Sequence, residues 1–168
     1  MNLLFDFTVD KATNTIHITR EFAAGLDLVW DAFTKAEILE QWTAPKPWWV
    51  RTKEMDFREG GRWLYAMVTP EQTHWSLVEF TEIKPKSSFS SRNSFCDENG
   101  NAINDAFSLT KNSFKAGTET TTVHIEKKFD KPSTLEMMVS RGYKEGLAAG
   151  LSNLDEYLLI QLTNLNHK

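Results

Sequence analysis

The sequence predicts an α+β fold in which a curved antiparallel sheet packs against a long C-terminal helix. Strand-like segments separated by short turns fill the middle of the chain, with two short helical segments before them and one long helical segment after them. Connections this short join antiparallel neighbours, because parallel strands need long crossovers. A run of strands followed by a helix is typical of helices layered on one face of a sheet, and the whole chain, 1–168, is expected to form one domain.

The N-terminal part predicts two strands and two short helices. Residues 2–9 and 15–22 are rich in β-branched and aromatic residues, which favours strands. Apolar residues at helical spacing predict helices at Leu26–Thr34 and Ala36–Trp42. A capping-box pattern starts at Thr34, so the second helix is expected to begin with side chains that satisfy its free backbone N–H groups.

Six further strands are predicted between the short helices and the C-terminal helix. The turns between them contain Gly, Pro or Asn, the residues that turn geometry requires. The predicted strands lie near 50–57, 62–69, 74–84, 87–95, 106–115 and 119–129. Strand twist should curve a sheet of this length. Its concave face is the expected site of the terminal helix.

The C-terminal segment predicts one long helix. Pro132 precedes a second capping-box pattern, which begins at Ser133. Apolar residues then recur every three or four positions from Leu135 to Leu158. This single apolar stripe needs to be buried against the sheet.

Three glycines lie on one face of this predicted helix. Gly142, Gly146 and Gly150 follow one another at intervals of four residues. Each glycine inside a helix costs roughly 1 kcal/mol relative to alanine. Two benefits could offset this cost: close approach of the helix backbone to the sheet, or empty volume that forms a pocket. The sequence leaves both open.

Composition limits the class of protein. The net charge of −4 and the pI near 5.6 argue against a general nucleic-acid or membrane-surface role. The chain shows no signal-peptide pattern and no apolar stretch of the roughly 18 residues that a membrane span needs. The lone cysteine, Cys96, fits a reducing compartment. We therefore expect a cytoplasmic protein that binds no nucleic acid and inserts in no membrane.

Aromatic residues make up 12% of the chain, with six Trp and eleven Phe, enough to fill a thick core or to line a cavity. For any single aromatic residue, a place in the core is the simpler interpretation. Small-molecule sites are mostly apolar with a few polar groups. The candidate ligand-binding residues are Trp42, Trp48, Phe57, Trp63, Tyr65, Phe80, Asn93, Phe95, Phe107, Met138, Gly142 and Gly146.

Strand alternation brings some polar residues to the predicted inner face. Ser91 and Asn93 share a face with the phenylalanines of their strand, and Lys127 shares one with Val123 and Ile125. An inward Asn beside an open pocket could bind a ligand, whereas a buried Asn with satisfied hydrogen bonds would be structural.

Patterns for catalysis and metal binding are weak. The four histidines lack metal-ligand spacing, and Cys96 has no neighbouring base in the sequence. An acid or base would have to come from Tyr65, His74, Lys127 or Tyr143, none of which is paired. We therefore assign no catalytic residue, metal or cofactor, and favour a binding protein over an enzyme.

Several segments together resemble one protein family. Val29–Thr34 and Ile38–Trp42 resemble its first two helices, Asp56–Trp63 its D-x-R-x-G-G-x-W hairpin, and Glu82–Pro85 its E-I-x-P corner. Gly146–Leu158 is similar to its terminal helix. The family is the branch of the START-like (SRPBCC, birch-pollen-allergen-like) superfamily that resembles the activator of the heat-shock protein 90 ATPase. The resemblance implies a helix-grip fold, in which a curved sheet surrounds a long terminal helix with a cavity between them.

The chain departs from the family pattern in three places. Lys86–Phe89 replaces a second proline and a charged pair, and Ser90–Asn93 replaces an aromatic-rich strand. Residues 97–118 are longer and more irregular than the family norm. The wall of the cavity is therefore expected to be more polar than usual.

Three functions follow as hypotheses. The first is binding of a small hydrophobic or amphipathic molecule, such as a lipid, in the cavity. The second, implied by the resemblance, is a co-chaperone-like regulator of the heat-shock protein 90 ATPase, which a pull-down of the chaperone would test. The third is a cyclase- or hydrolase-type enzyme that uses the same cavity. The expected oligomeric state is a monomer or a weak homodimer.

Overall fold

The computed structural model describes residues 2–166 and gives this part of the chain eight strands and four helices. In chain order they are β1 (Phe5–Asp10), β2 (Thr15–Phe22), α1 (Leu26–Thr34), α2 (Ala36–Trp42), β3 (Trp49–Met55), β4 (Arg62–Val68), β5 (Thr73–Lys84), β6 (Ser88–Cys96), β7 (Ser108–Ala116), β8 (Thr121–Phe129), α3 (Pro132–Ser140) and α4 (Tyr143–Asn166). No helix among these is long and apolar enough to cross a membrane.

All eight strands form one antiparallel sheet in the order β1-β2-β8-β7-β6-β5-β4-β3. The meander from β3 to β8 follows chain order, and β8 closes it against the N-terminal hairpin through β2. This curved open sheet, with helices against it, confirms the predicted α+β helix-grip fold.

The core lies between the inner face of the sheet and the helices. β2 and β8 contribute Ile16, Ile18 and Val123, and α4 contributes Leu151 and Leu154, all of which are almost completely buried. Burying a side chain of this size stabilises the fold by roughly 1.5–3 kcal/mol. The part of the apolar stripe from Leu151 to Leu158 is therefore buried as the sequence predicts, whereas Val139 within the same stripe is 43% exposed.

Aromatic rings fill one end of this core. The ring of Trp30 in α1 makes edge contacts with Phe57, Phe89 and Phe114, with centroid distances of 6.0, 5.9 and 5.0 Å. Phe57 also packs against Phe80 at 4.9 Å. This cluster occupies the space between α1 and the sheet, so these rings serve as core residues.

The predicted capping boxes are not formed. Thr34 is still within α1, and its hydroxyl donates a hydrogen bond to the carbonyl oxygen of Trp30 at 2.8 Å. Lys35 therefore becomes the N-cap of α2, and Lys131 takes the same position before α3, neither with a side-chain cap. Pro132 occupies the first turn of α3, where its missing N–H costs nothing.

The predicted long C-terminal helix is present as α4, but its predicted start is too early, because the chain breaks this segment into α3 and α4. Gly142 lies between them with φ of +86°, a left-handed conformation that glycine adopts without steric cost. Its carbonyl oxygen accepts the N–H of Gly146 at 2.9 Å, which starts α4. The apolar periodicity continues across this junction, which is why it suggests one helix.

Candidate functional site

A cavity of about 290 Å³ lies between the inner face of the sheet and the junction of α3 with α4. Its exposed surface is mostly apolar. The lining residues are Tyr65, Met67, His74, Ser76, Leu77, Val78, Asn93, Ser94, Phe95, Ala106, Phe107, Ser108, Lys127, Phe129, Thr134, Met137, Met138 and Tyr143.

Cross-strand rows of the sheet build the floor of this cavity. One row joins Tyr65 to Ser76 and Ser76 to Phe95 across β4, β5 and β6. Residues paired in register share a face, so these three side chains point to the same side. Phe95 is 39% exposed, which places this row at the open end of the cavity.

A second row lies one step further in. It runs from Val78 through Asn93 and Ser108 to Phe129 across β5 to β8. Asn93 Oδ1 accepts a hydrogen bond from the hydroxyl of Ser91 at 2.7 Å, which orients the amide. The floor therefore mixes hydroxyl and amide groups with apolar side chains, in agreement with the more polar wall that the sequence predicts.

The helix junction forms the opposite wall. Met138 in α3 and Tyr143 at the start of α4 both line the cavity, and Gly142 lies between them in the chain. The positive φ of Gly142 turns the chain there. The Tyr143 ring packs against Phe7 of β1 at 6.2 Å, which fixes it at the edge of the site.

The three glycines have three different environments. Gly142 occupies the helix junction, and a Cβ added at Gly146 would meet no atom within 4 Å. A Cβ at Gly150 would lie 3.0 Å from the carbonyl oxygen of Trp42 and 3.1 Å from that of Thr43. Gly150 thus permits close packing, but against the end of α2 and not against the sheet, and none of the three glycines lines the cavity.

Five of the twelve candidate ligand-binding residues meet at the cavity. They are Tyr65, Asn93, Phe95, Phe107 and Met138. Phe57 and Phe80 instead belong to the aromatic cluster around Trp30. Gly142 and Gly146 are close in sequence to the lining residue Tyr143, but they do not line the cavity themselves.

The three tryptophan candidates also lie outside the lining. Trp42 is buried and donates a hydrogen bond from Nε1 to the carbonyl oxygen of Ala32 at 2.9 Å, which ties α2 to α1. Trp63 stacks on Tyr65 at 3.9 Å and lies beside the cavity on the same face of β4. Trp48 lies 5.4 Å from the ring of His74, a lining residue.

Several lining residues were not among the candidates. Ser76 and His74 pair with Tyr65 and Met67 across the β4–β5 hairpin, so the register of that hairpin would have revealed them. Ala106 lies just before β7, which begins at Ser108 and not near residue 106 as the sequence predicts. Met137 is next to the candidate Met138, and the break in the helix brings both to the cavity.

Lys127 is the cation of the site. It lies on the inner face of β8, as alternation predicts, and its Nζ is 3.5 Å from the hydroxyl of Thr110. The rings of Phe129 and Tyr143 are 5.8 and 6.0 Å from the same nitrogen. Burial lowers the pKa of Lys127 to about 8, because removing water disfavours the charged amine.

Two tyrosines place hydroxyl groups in the same space. Burial raises the pKa of Tyr65, and a hydrogen bond with Ser76 lowers it in part. Burial also raises the pKa of Tyr143, and the nearby Tyr65 adds to this effect. Both phenols therefore stay neutral at physiological pH and can donate or accept hydrogen bonds.

Acidic groups are not part of the cavity lining, which contains neither Asp nor Glu. Within residues 2–166, no group of three or more His, Cys, Asp or Glu side chains could hold a metal ion. Cys96 lies in a small separate cluster with Leu64 and Leu77, where burial raises the pKa of its thiol. The chemistry of the cavity therefore comes from hydroxyl groups, amides, His74 and Lys127.

Comparison with known proteins places the chain in a family. The family described as "Activator of Hsp90 ATPase homolog 1-like protein" matches residues 23–159. The crystal structure of protein Ms6760 from Mycobacterium smegmatis is similar, with a TM-score of 0.85 and 25% identity, over 95% of this chain and 99% of that one. A comparison with curated proteins gives no match.

Two NMR structures show the same fold at lower identity. A protein from Arthrobacter aurescens has a TM-score of 0.84 and 22% identity over 91% of this chain and 90% of that one. A protein from Staphylococcus epidermidis has a TM-score of 0.81 and 24% identity over 92% and 94%. These likenesses show the fold, and the family match over residues 23–159 shows that the chain belongs to the activator of Hsp90 ATPase homolog 1-like family of the START-like (SRPBCC) superfamily.

Proposed function

We propose that this protein binds a small hydrophobic or amphipathic molecule in the cavity between the sheet and the α3–α4 junction. The observation that carries the proposal is the open volume of about 290 Å³ with a mostly apolar surface. Ligand pockets in proteins typically occupy roughly 300–1,000 Å³ and combine apolar walls with a few polar groups. The volume lies at the lower end of that range, which favours a small ligand.

The character of the walls supports the same proposal. Met67, Met137 and Met138 all line the cavity. Methionine side chains are unbranched and polarizable, so they adapt to ligands of different shape. Phe95 and Phe107 add rings to the lining, and the exposed Phe95 lies at the open end, where an apolar ligand would enter.

Ligand binding should raise the melting temperature by mass action. A ligand at about 100 times its Kd stabilises a protein by about 2.7 kcal/mol. For a chain of this size, each kcal/mol corresponds to roughly 2–4 °C, so we expect a rise of about 5–10 °C. Thermal-shift measurements with medium-chain fatty acids and with aromatic polyketides would detect it.

A matched pair of variants tests whether the ligand that raises the melting temperature binds in this cavity. Ser76→Phe should fill the cavity floor and abolish the ligand-induced shift, because Ser76 is part of the lining. Thr81→Phe adds the same ring to an exposed position of the same strand and should keep the shift. Equal shifts in both variants would place the ligand elsewhere, and no shift with any compound would rule out this function.

A further inference from the structure

We propose that the ligand of this cavity carries a carboxylate group and that the Lys127 ammonium binds it. The inference rests on the proposed function and specifies its ligand class. Three features of the site support it: the position of Lys127 in the sheet, a cavity lining without a counter-charge, and the neutral hydrogen-bond donors around the lysine.

Lys127 lies deeper in the site than the open end. A third cross-strand row runs from Phe80 through Ser91 and Thr110 to Lys127. On β6, Ser91 lies on the same face as the exposed Phe95, and Asn93 lies between them on that face. The row that contains Ser91 and Lys127 is therefore further from the open end. A ligand whose head group reaches Lys127 would therefore leave its apolar part beside Phe129, the methionines and the rings near the mouth.

The chain supplies no negative charge to this lysine. Within residues 2–166, no Asp or Glu oxygen lies within 4.0 Å of Lys127 Nζ. Its hydrogen bond there is the long one of 3.5 Å to Thr110. A buried cation without a partner is costly. A ligand carboxylate would remove that cost on binding.

A buried cation elsewhere in the same fold shows the contrast. Arg20 on β2 is only 7% exposed, and its guanidinium forms an ion pair with the carboxylate of Asp155 in α4. Here the chain itself provides the counter-charge for a buried cation that does not line the cavity. Lys127 lines an open cavity instead, which favours a partner that comes from outside the chain.

The surrounding groups suit a single negative charge. Tyr65, Tyr143 and Ser108 place neutral hydroxyl groups in the cavity, and such groups can donate hydrogen bonds to carboxylate oxygens. One ammonium balances one charge, whereas a phosphate dianion would leave a second charge buried and unpaired. The site therefore fits a carboxylate better than a phosphate.

The test compares acids with alcohols of the same skeleton. We would measure the affinities of octanoic acid and 1-octanol, and of 2-naphthoic acid and 2-naphthalenemethanol, by isothermal titration calorimetry at pH 7. A charged hydrogen bond in a buried site favours the acid, and we expect its Kd to be roughly ten- to a hundredfold lower. This comparison uses the unmodified protein and depends on no variant.

Variants then assign the preference to one side chain. Lys127→Met should abolish the preference for acids while binding of the alcohols is kept. Lys127→Arg retains the charge and should preserve part of the preference. Lys128→Met is the matched control, because Lys128 is exposed on the other face of the same strand and should have no effect.

The outcomes separate the two proposals. If acids and alcohols bind the unmodified protein equally well, the carboxylate inference is overturned and the proposed function stands. The same inference fails if Lys127→Met keeps its preference for acids. If none of the four compounds binds, the failure lies with the proposed function itself.

Discussion

Lys127→Met is expected to stabilise the ligand-free protein by roughly 1–3 kcal/mol at pH 7, although it removes the group proposed to bind the ligand. Burial lowers the pKa of Lys127 to about 8, against about 10.5 for a free lysine. One unit of pKa corresponds to about 1.4 kcal/mol. Methionine has a similar length and carries no charge, so the cost of burying the ammonium disappears. Urea unfolding of both proteins at pH 7 measures the difference.

The sign of the pH dependence provides a second readout of the same variant. Between about pH 8 and 10.5 the unfolded state binds more protons at Lys127 than the folded state, so this residue makes stability rise with pH. Below pH 8 its full cost is present in the folded protein. The advantage of Lys127→Met should therefore shrink as pH rises from 8 to 9.5.

Controls for this prediction come from the same strand and the same cavity. Lys128→Met replaces an exposed lysine and should change stability little at any pH. Tyr65, His74 and Tyr143 also line the cavity and are the same in both proteins, so the comparison isolates the change at Lys127. A destabilised Lys127→Met protein at pH 7 would show that the lysine serves the fold, and would contradict our account.

Gly150→Leu is expected to destabilise the protein by about 2–3 kcal/mol, because α4 packs on α2 at this point with no room for a side chain. A Cβ there would lie 3.0 Å from the carbonyl oxygen of Trp42. Asn153 holds the same contact by donating hydrogen bonds to the carbonyl oxygens of Trp42 and Ala44, at 3.4 and 3.1 Å. Overpacking of this kind typically costs about 1–3 kcal/mol.

Gly146→Ala is the matched control one turn earlier in the same helix. Its Cβ would meet nothing within 4 Å, so alanine should stabilise the helix by up to about 1 kcal/mol. Thermal unfolding followed by circular dichroism would show opposite shifts for the two variants. Equal losses of stability at both positions would contradict the different environments that the structure gives these glycines.

Sequence patterns predict the fold well where the pattern is local. The bounds of β2, α1 and α2 are as predicted, because Ile16 and Ile18 alternate with polar residues and Gly25 separates strand from helix. The sequence does not predict the break at Gly142, because helical spacing of apolar residues does not distinguish a glycine within a helix from one between two helices. Only the backbone conformation separates the two cases.

Sequence patterns predict only part of the candidate site. Tyr65, Asn93 and Lys127 reach the cavity because alternation along a strand fixes which face a side chain takes. Alternation does not show which positions along that face are covered by other side chains and which are left open to the cavity. Phe57 and Phe80 are excluded from the cavity by contact with the Trp30 cluster, which depends on how α1 packs against the sheet.

Methionine methyl groups offer the most direct test of the central claim that the cavity takes a ligand. Met67, Met137 and Met138 line it, whereas Met55 lies on β3 outside the lining. With ¹³C-methyl-labelled methionine, titration with octanoic acid should move the NMR signals of the three lining residues and leave that of Met55 in place. Unchanged signals from all three at millimolar ligand, or a response confined to Met55, would contradict the account.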